Sequence, residues 1–216
     1  VRGTVNLKDV AVHEVGHLLG LEHTPLDGPA SSRPTMNPFN RGDGPGLRQT
    51  LEADDIAGLC FLYPTPEYAL SVGSISGTVS NLEGDGLFGV HVVAQNTETQ
   101  TQISTVSGAY DGQGGRYRIE GLPPGPYRVQ MTPIEGSINA DNFGGIFSEF
   151  ATDFTPEFYD NSRVENTAQT IEVQAGQTVH KIDFTTGFIR PGFPSVELSG
   201  LAANTPDTTG PYTVRV

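Results

Sequence analysis

His13-Glu14-Val15-Gly16-His17-Leu18-Leu19-Gly20-Leu21-Glu22-His23 is the stretch from which the rest of the chain is read. On a helix, His13 and His17 stand four residues apart, about 40° from one another in azimuth, so both face the same way. Two imidazoles so placed can share one metal ion. His23 comes six residues after His17, and a continuous helix turns it to the opposite side. The chain must therefore bend, and Gly20 is where it can, because glycine accepts a positive φ at little cost. Three neutral imidazoles leave a fourth tetrahedral position for water, the arrangement of a catalytic rather than a structural zinc site. Zinc lowers the pKa of such a water to about 7. Glu14, beside a ligand, can accept the proton as that water attacks a carbonyl and pass it to the leaving amine. The spacing therefore predicts a zinc centre (His13, His17, His23) with Glu14 as general base, suited to peptide-bond hydrolysis. A bare His-Glu-x-x-His also arises on solvated helix faces. The third histidine at the required distance and the glycine at the bend argue against that reading.

Outward from this stretch, Asn6 can cap the helix, with Asp9 three residues later as a short capping box. Leu7, Val10, Ala11, Val15 and Leu18 recur at helical spacing and predict a buried face. Residues 24–46 are irregular and rich in Pro, Gly, Asn and Asp. A second helix is predicted from Glu52 to Tyr63, with Ala53, Ile56, Ala57, Leu59, Cys60 and Leu62 on its apolar side. Pro64 and Pro66 end it and open a linker.

From about Ser71 to Thr186 the pattern changes to short strands separated by turns. Strands are predicted at Ile75–Ser80, Val90–Gln95, Gln102–Val106, Arg116–Ile119, Tyr127–Met131, Gln169–Val173 and Val179–Phe184. Turns are predicted at Gly84–Gly86, Gly112–Gly115, Gly121–Pro126 and Ala175–Gln177. Seven short strands at this spacing indicate an antiparallel sandwich. An insertion, Thr132–Asn166, carries Phe143, Phe147, Phe150, Phe154, Phe158 and Tyr159, read as packing residues rather than a ligand platform.

Composition narrows the function. The formal net charge is -13 and no basic stripe interrupts it, which excludes the clustered cations that phosphate binding needs. Nucleic acid is not an expected partner. No stretch is long and apolar enough to span a bilayer. Cys60 is the sole cysteine, so an internal disulfide is excluded; it reads as a small core residue. Arg41-Gly42-Asp43 reads as a Gly-rich turn rather than an integrin tripeptide. Asp85, Asp111 and Asp141 lie in Gly-containing turns without a complete calcium pattern, so Ca²⁺ is left unassigned. His91 and His180 sit in strand patterns and read as structural.

His-Glu-x-x-His-x-x-Gly-x-x-His is the signature of the metzincin zinc endopeptidases, and residues 6–63 resemble that clan. The resemblance implies a methionine turn beneath the metal. Met36, in Pro34-Thr35-Met36-Asn37-Pro38, matches it, and Gly20 and Met36 then become structural supports of the site. Leu51-Glu52-Ala53-Asp54-Asp55-Ile56-Ala57-Gly58-Leu59 and Leu62-Tyr63 are similar to the last helix of the matrixin branch. Thr24 stands where matrixins usually have Ser, and Asn37 where Tyr or His is usual. Metzincin catalytic domains carry a twisted sheet upstream of the metal helix, whose edge strand binds the substrate backbone. The resemblance implies that this upstream part is a partner of the present chain, which by itself is an incomplete catalytic domain.

Ser74-Ile75-Ser76-Gly77-Thr78-Val79, Gly89-Val90-His91-Val92, and the run Gly115–Ile119 with Gly121–Val129 resemble a carboxypeptidase regulatory-like domain, a prealbumin-type sandwich. That implies a non-catalytic accessory module of exported proteins. Some related sandwiches carry a Lys–Asn isopeptide bond. With lysines only at Lys8 and Lys181, the first sandwich strand has none and that crosslink is not expected.

The reading is thus a multidomain α+β chain. Residues 1–65 form the helical C-terminal part of a metzincin-like zinc peptidase domain, 66–73 a linker, 74–186 an antiparallel seven-stranded β-sandwich, and 187–216 a linker and the start of a further β domain. The expected function is a secreted or cell-surface, bacterial zinc endopeptidase acting on protein or peptide substrates. The alternative is a non-catalytic extracellular binding or adhesion module with a vestigial metal helix. An intact set of His13, Glu14, His17 and His23 favours the first.

Overall fold

The computed structural model describes residues 6–28, 32–39, 49–108, 114–135, 138–139, 150–187, 197–199 and 213–215. The readings placed on Arg41-Gly42-Asp43, Asp111, Asp141, Phe143 and Phe147 lie outside them.

Helix α1 spans Leu7–Leu18. Asn6 caps it, its side-chain oxygen accepting from the Lys8 amide at 2.9 Å. Its C-terminus is a Schellman motif. The Leu21 amide donates to the Gly16 carbonyl and the Gly20 amide to the His17 carbonyl, both at 3.0 Å, with Gly20 at φ +95°. Only glycine accepts that backbone cheaply, so the helix stops where the third histidine has to turn back.

The predicted buried face of α1 is corrected by the structure. Leu7, Val15 and Leu18 are 82%, 50% and 84% exposed, and the buried residues of the helix are Asp9 and Gly16. At 100° per residue Asp9, His13 and Gly16 fall on one side, and Leu7, Ala11, Val15 and Leu18 on the other. The inward side is polar and small because it faces Thr35, Met36 and Gln49. Among the described residues no layer covers the apolar side.

Helix α2, Ala53–Leu62, begins at Glu52 in a capping box with Asp55. A third helix, α3, Pro66–Ser71, occupies the segment read as a linker. Thr65 accepts from the Tyr68 amide at 3.2 Å, and Pro66 sits in the first turn where its missing N–H costs nothing.

Beyond α3 the chain forms two sheets around a common core. Their strands are β1 (Gly73–Ser80), β2 (His91–Asn96), β3 (Gln102–Val106), β4 (Arg116–Leu122), β5 (Gly125–Thr132), β6 (Glu157–Phe158), β7 (Ile171–Val173), β8 (Thr178–Val179) and β9 (Phe184–Thr185). One sheet runs β4-β1-β8 with β9 also on β1; the other runs β3-β2-β5-β6 with β7 also on β5. Ile75, Val79, Ile119 and Leu122 of the first meet Val92, Ala94, Val129 and Met131 of the second. A further pair, β10 (Glu197–Ser199) and β11 (Thr213–Arg215), is antiparallel.

Two sequence expectations change here. The sandwich is not wholly antiparallel, because β8 and β9 pair with β1 in parallel. The chain crosses from the second sheet through the turn at Gly176 (φ +70°) and re-enters at the Gly73 end of β1, so it must run alongside β1 in the same direction. The strand predicted at Val179–Phe184 is split, which with β6 gives these two sheets nine strand segments among the described residues instead of seven. Lys181 at φ +65° breaks it, and the Ile182 carbonyl swings towards β1. A Cβ on Gly77 would lie 2.0 Å from that oxygen, so glycine is required there. The Tyr117 hydroxyl and the Ser76 carbonyl hold the kink at Ile182. In the insertion, Phe154 and Tyr159 pack on the sandwich core and Phe150 on Val106, Ile134 and Ile138, as the packing reading expects.

Helix α2 is not separate from the sandwich. Ala57 is part of the sandwich core and Ala53 packs against it. The approach to β4 is close: a Cβ on Gly121 (φ +74°) would lie 2.7 Å from Ala57 Cβ and 2.8 Å from the Tyr68 hydroxyl.

Candidate metal centre

His13 and His17 project from α1, and His23 returns after the Gly20 turn. Their three Nε2 atoms approach one another to 3.1 Å (His13–His17) and 3.2 Å (His13–His23 and His17–His23). They form the one three-residue group of potential metal ligands among the described residues.

The second ring nitrogens decide what that triangle is. His13 Nδ1 donates to the Thr35 carbonyl at 2.7 Å, and His17 Nδ1 to the Leu21 carbonyl at 2.9 Å. A carbonyl can only accept, so a neutral imidazole bonded to one carries its proton on Nδ1 and presents a bare Nε2 lone pair. Convergent lone pairs repel unless a cation sits among them. Zinc–nitrogen bonds of about 2.0–2.1 Å at tetrahedral angles separate ligand atoms by about 3.3–3.4 Å. The observed triangle is within a few tenths of an ångström of that. The residues present therefore fit a tetrahedral metal ion with one open position.

Glu14 follows His13 on α1 and its side chain is exposed. Met36 is 2% exposed. It lies against the helix where a Cβ on Gly16 would come within 2.3 Å of its sulfur, so the small residue inside the motif is what lets the methionine reach the helix. The Thr24 amide donates to the Met36 carbonyl at 3.1 Å, joining the residue after His23 to the methionine turn.

Asp55 holds this turn in place. Its carboxylate accepts from the amides of Thr35 (2.8 Å), Met36 (3.0 Å) and Glu52 (2.9 Å). Neighbouring Asp54 accepts from the Ser104 amide at 2.7 Å and its hydroxyl at 3.3 Å, and the Thr24 hydroxyl bonds it too. Burial raises the Asp54 pKa to about 6, against the lowering effect of these donors. A cleft of about 320 Å³ bordering His23 and Met36 is lined also by Phe61, Ile103 and Val106.

Sequence reasoning named the three histidines, Glu14, Gly20 and Met36, but not Gly16, Thr35, Asp55 or the Leu21 carbonyl. Gly16 lies inside the motif, and Asp54-Asp55 opens the second helix; those were the available signals. The carbonyl partners carry none, since any residue offers a carbonyl. The other titratable candidates lie elsewhere. His91 is buried, its pKa lowered by burial to about 3. His180 Nδ1 is 3.0 Å from the Ser76 hydroxyl at an exposed position. Cys60 is partly buried on α2.

Residues 2–64 match the family model described as Matrixin. Residues 74–137 match the model described as Carboxypeptidase regulatory-like domain. A similar protein is Metalloendoproteinase 4-MMP of Arabidopsis thaliana, 38% identical over 79 residues, which are 36% of this chain and 21% of that protein. The chain thus spans about a fifth of the length of that relative. Among solved structures, the Bacillus anthracis TIE protein gives a TM-score of 0.32 at 16% identity over 54% of this chain and 16% of that one. No helix among the described residues is long and apolar enough to cross a membrane.

Proposed function

We propose that this chain is the C-terminal part of a secreted, zinc-dependent endopeptidase, with a regulatory-like sandwich attached. The observation that carries the reading is the convergence of three Nε2 atoms to 3.1–3.2 Å, two of them left without a proton because the same ring's Nδ1–H donates to a carbonyl. His13, His17 and His23 would hold the zinc. When bound, zinc polarises a scissile carbonyl and acidifies its water. Glu14, exposed beside His13, accepts a proton on its carboxylate and delivers it to the leaving amine. The Thr35 and Leu21 carbonyls keep His13 and His17 in the tautomer that binds metal. Gly20 turns the chain so that His23 closes the set, and Met36 packs beneath.

The matrixin match and the relative's printed name support the peptidase reading. The exposed stripe Leu7, Val15 and Leu18 supports the proposal that the remaining catalytic domain packs on α1, since apolar side chains in such a row are covered in working domains. Substrates are proposed to be proteins or peptides, and the setting extracellular and bacterial.

Glu14→Ala in the full-length protein tests the mechanism. Casein hydrolysis is expected to fall by about 10²–10⁴ while stoichiometric zinc is retained. Unchanged hydrolysis refutes the role of Glu14, and absence of bound zinc from the unmodified protein refutes the metal centre in favour of a non-catalytic binding module.

A further inference from the structure

The residues that hold the matrixin turn and the residues that hold the sandwich stand side by side in the first turn of α2. Asp55 reaches one way, to the amides of Thr35 and Met36. Asp54 reaches the other, to the amide and hydroxyl of Ser104 on β3. Among the described residues β3 is an edge strand of its sheet, paired only on its β2 side. An edge presents unpaired amides, and here one of them is taken by a carboxylate from outside the sandwich. Ala57, one turn further along α2, sits in the sandwich core, and Gly121 permits the contact. The helix is thus fixed to the sandwich by a hydrogen-bonded carboxylate at its start and an apolar contact at its middle.

The same helix reaches the histidines by two short routes. Asp55 holds Thr35, whose carbonyl accepts a hydrogen bond from His13 Nδ1. Asp54 bonds the Thr24 hydroxyl, and Thr24 follows His23 directly. We infer that the sandwich is a positioning element of the metal centre, with Ser104 on its edge strand holding Asp54 so that α2 presents the supports of His13 and His23 in register. This rests on the reading of the three histidines as metal ligands. The docking of α2 on the sandwich does not. Ser104 is a positioning residue, since it touches no ligand atom.

Ser104→Pro in the whole chain removes the amide that Asp54 binds. The amide points away from β2, and an edge position of that kind tolerates proline. Asp54→Ala removes the acceptor from the other side, and Asp54→Asn keeps one oxygen that can accept. Two quantities are read: zinc release into excess chelator, and hydrogen exchange of the Thr35 and Met36 amides. Release is expected to quicken at least about threefold in Ser104→Pro and Asp54→Ala, less than the roughly 10–100-fold of losing a group bonded directly to a ligand. Asp54→Asn is expected between these variants and the unchanged chain. Exchange at Thr35 and Met36 is expected to rise in step. Zinc release unchanged in Ser104→Pro overturns the inference, because a purely local role for Ser104 within the sandwich predicts that result. If the unchanged chain retains no zinc, the metal-ligand reading fails, and the exchange measurement still decides: faster exchange at Thr35 and Met36 supports the coupling, and unchanged exchange overturns it.

Discussion

Replacing Asp55 by alanine removes the one carboxylate that ties the methionine turn to α2. The magnitude follows from what it leaves behind. The Thr35 and Met36 amides lie in residues 1% and 2% exposed, so water cannot take over as acceptor without opening the turn. A buried donor left unpaired costs about 1–3 kcal/mol, and the better solvated Glu52 amide about 0.5–1 kcal/mol. Alanine returns about 0.5 kcal/mol of helix propensity. With two such buried amides the net loss is about 2–6 kcal/mol, a large share of the roughly 5–15 kcal/mol that a domain of this kind has available. Urea unfolding of the zinc-free chain, followed by circular dichroism, measures it without metal linkage. With a slope of about 2 kcal/mol per molar, the midpoint should fall by about 1–3 M. Asp55→Asn sharpens the test. One carboxylate oxygen accepts from Met36, the other from both Thr35 and Glu52, and an amide has only one acceptor oxygen. Its NH₂ must face a donor, so asparagine should lose at least half as much as alanine. A midpoint within about 0.5 M of the unchanged chain for either variant refutes the reasoning.

Three further outcomes follow from local geometry. Gly16→Ala places a Cβ 2.3 Å from the Met36 sulfur and should cost about 1–3 kcal/mol by overpacking, partly offset by about 1 kcal/mol of helix propensity. In a Met36→Ala background the same change should become neutral or stabilising, which a double-mutant unfolding cycle checks. Gly121→Ala adds a Cβ at φ +74° against Ala57 and Tyr68 and should lower stability by about 1–3 kcal/mol, read by thermal unfolding. His91 is held neutral by burial, its folded pKa of about 3 lying below its unfolded value of about 6.5. Its contribution is therefore present above pH 6.5 and is lost as pH falls from there towards 3, at up to about 1.4 kcal/mol per pH unit. Unfolding free energies of the chain and of His91→Phe, compared at pH 7.5, 5 and 4, should diverge more at each step down.

The sequence by itself determined the features that depend on spacing along one element or on a glycine at a bend. His13 and His17 share a face because a helix repeats every 3.6 residues, and Gly20 turns the chain because no other residue accepts φ +95° so cheaply. Asn6 and Pro66 mark helix starts by the same local logic, and the alternation along β4 and β5 marks strands. The two module types were legible in motifs for the same reason.

The tertiary structure alone decided what depends on which surface meets which. The apolar row on α1 reads in sequence as a buried face, yet it is exposed, because burial is set by the neighbours a face finds rather than by its composition. The parallel pairing of β8 and β9 with β1 depends on where a crossing chain re-enters a sheet, and two-residue strands carry no pattern to announce it. The carbonyls of Thr35 and Leu21 set the tautomers of His13 and His17, and a backbone acceptor has no side-chain signature. Asp54 and Asp55 are adjacent letters, but only the packing of α2 between the methionine turn and β3 sends one carboxylate to the turn that supports His13 and the other to the sandwich.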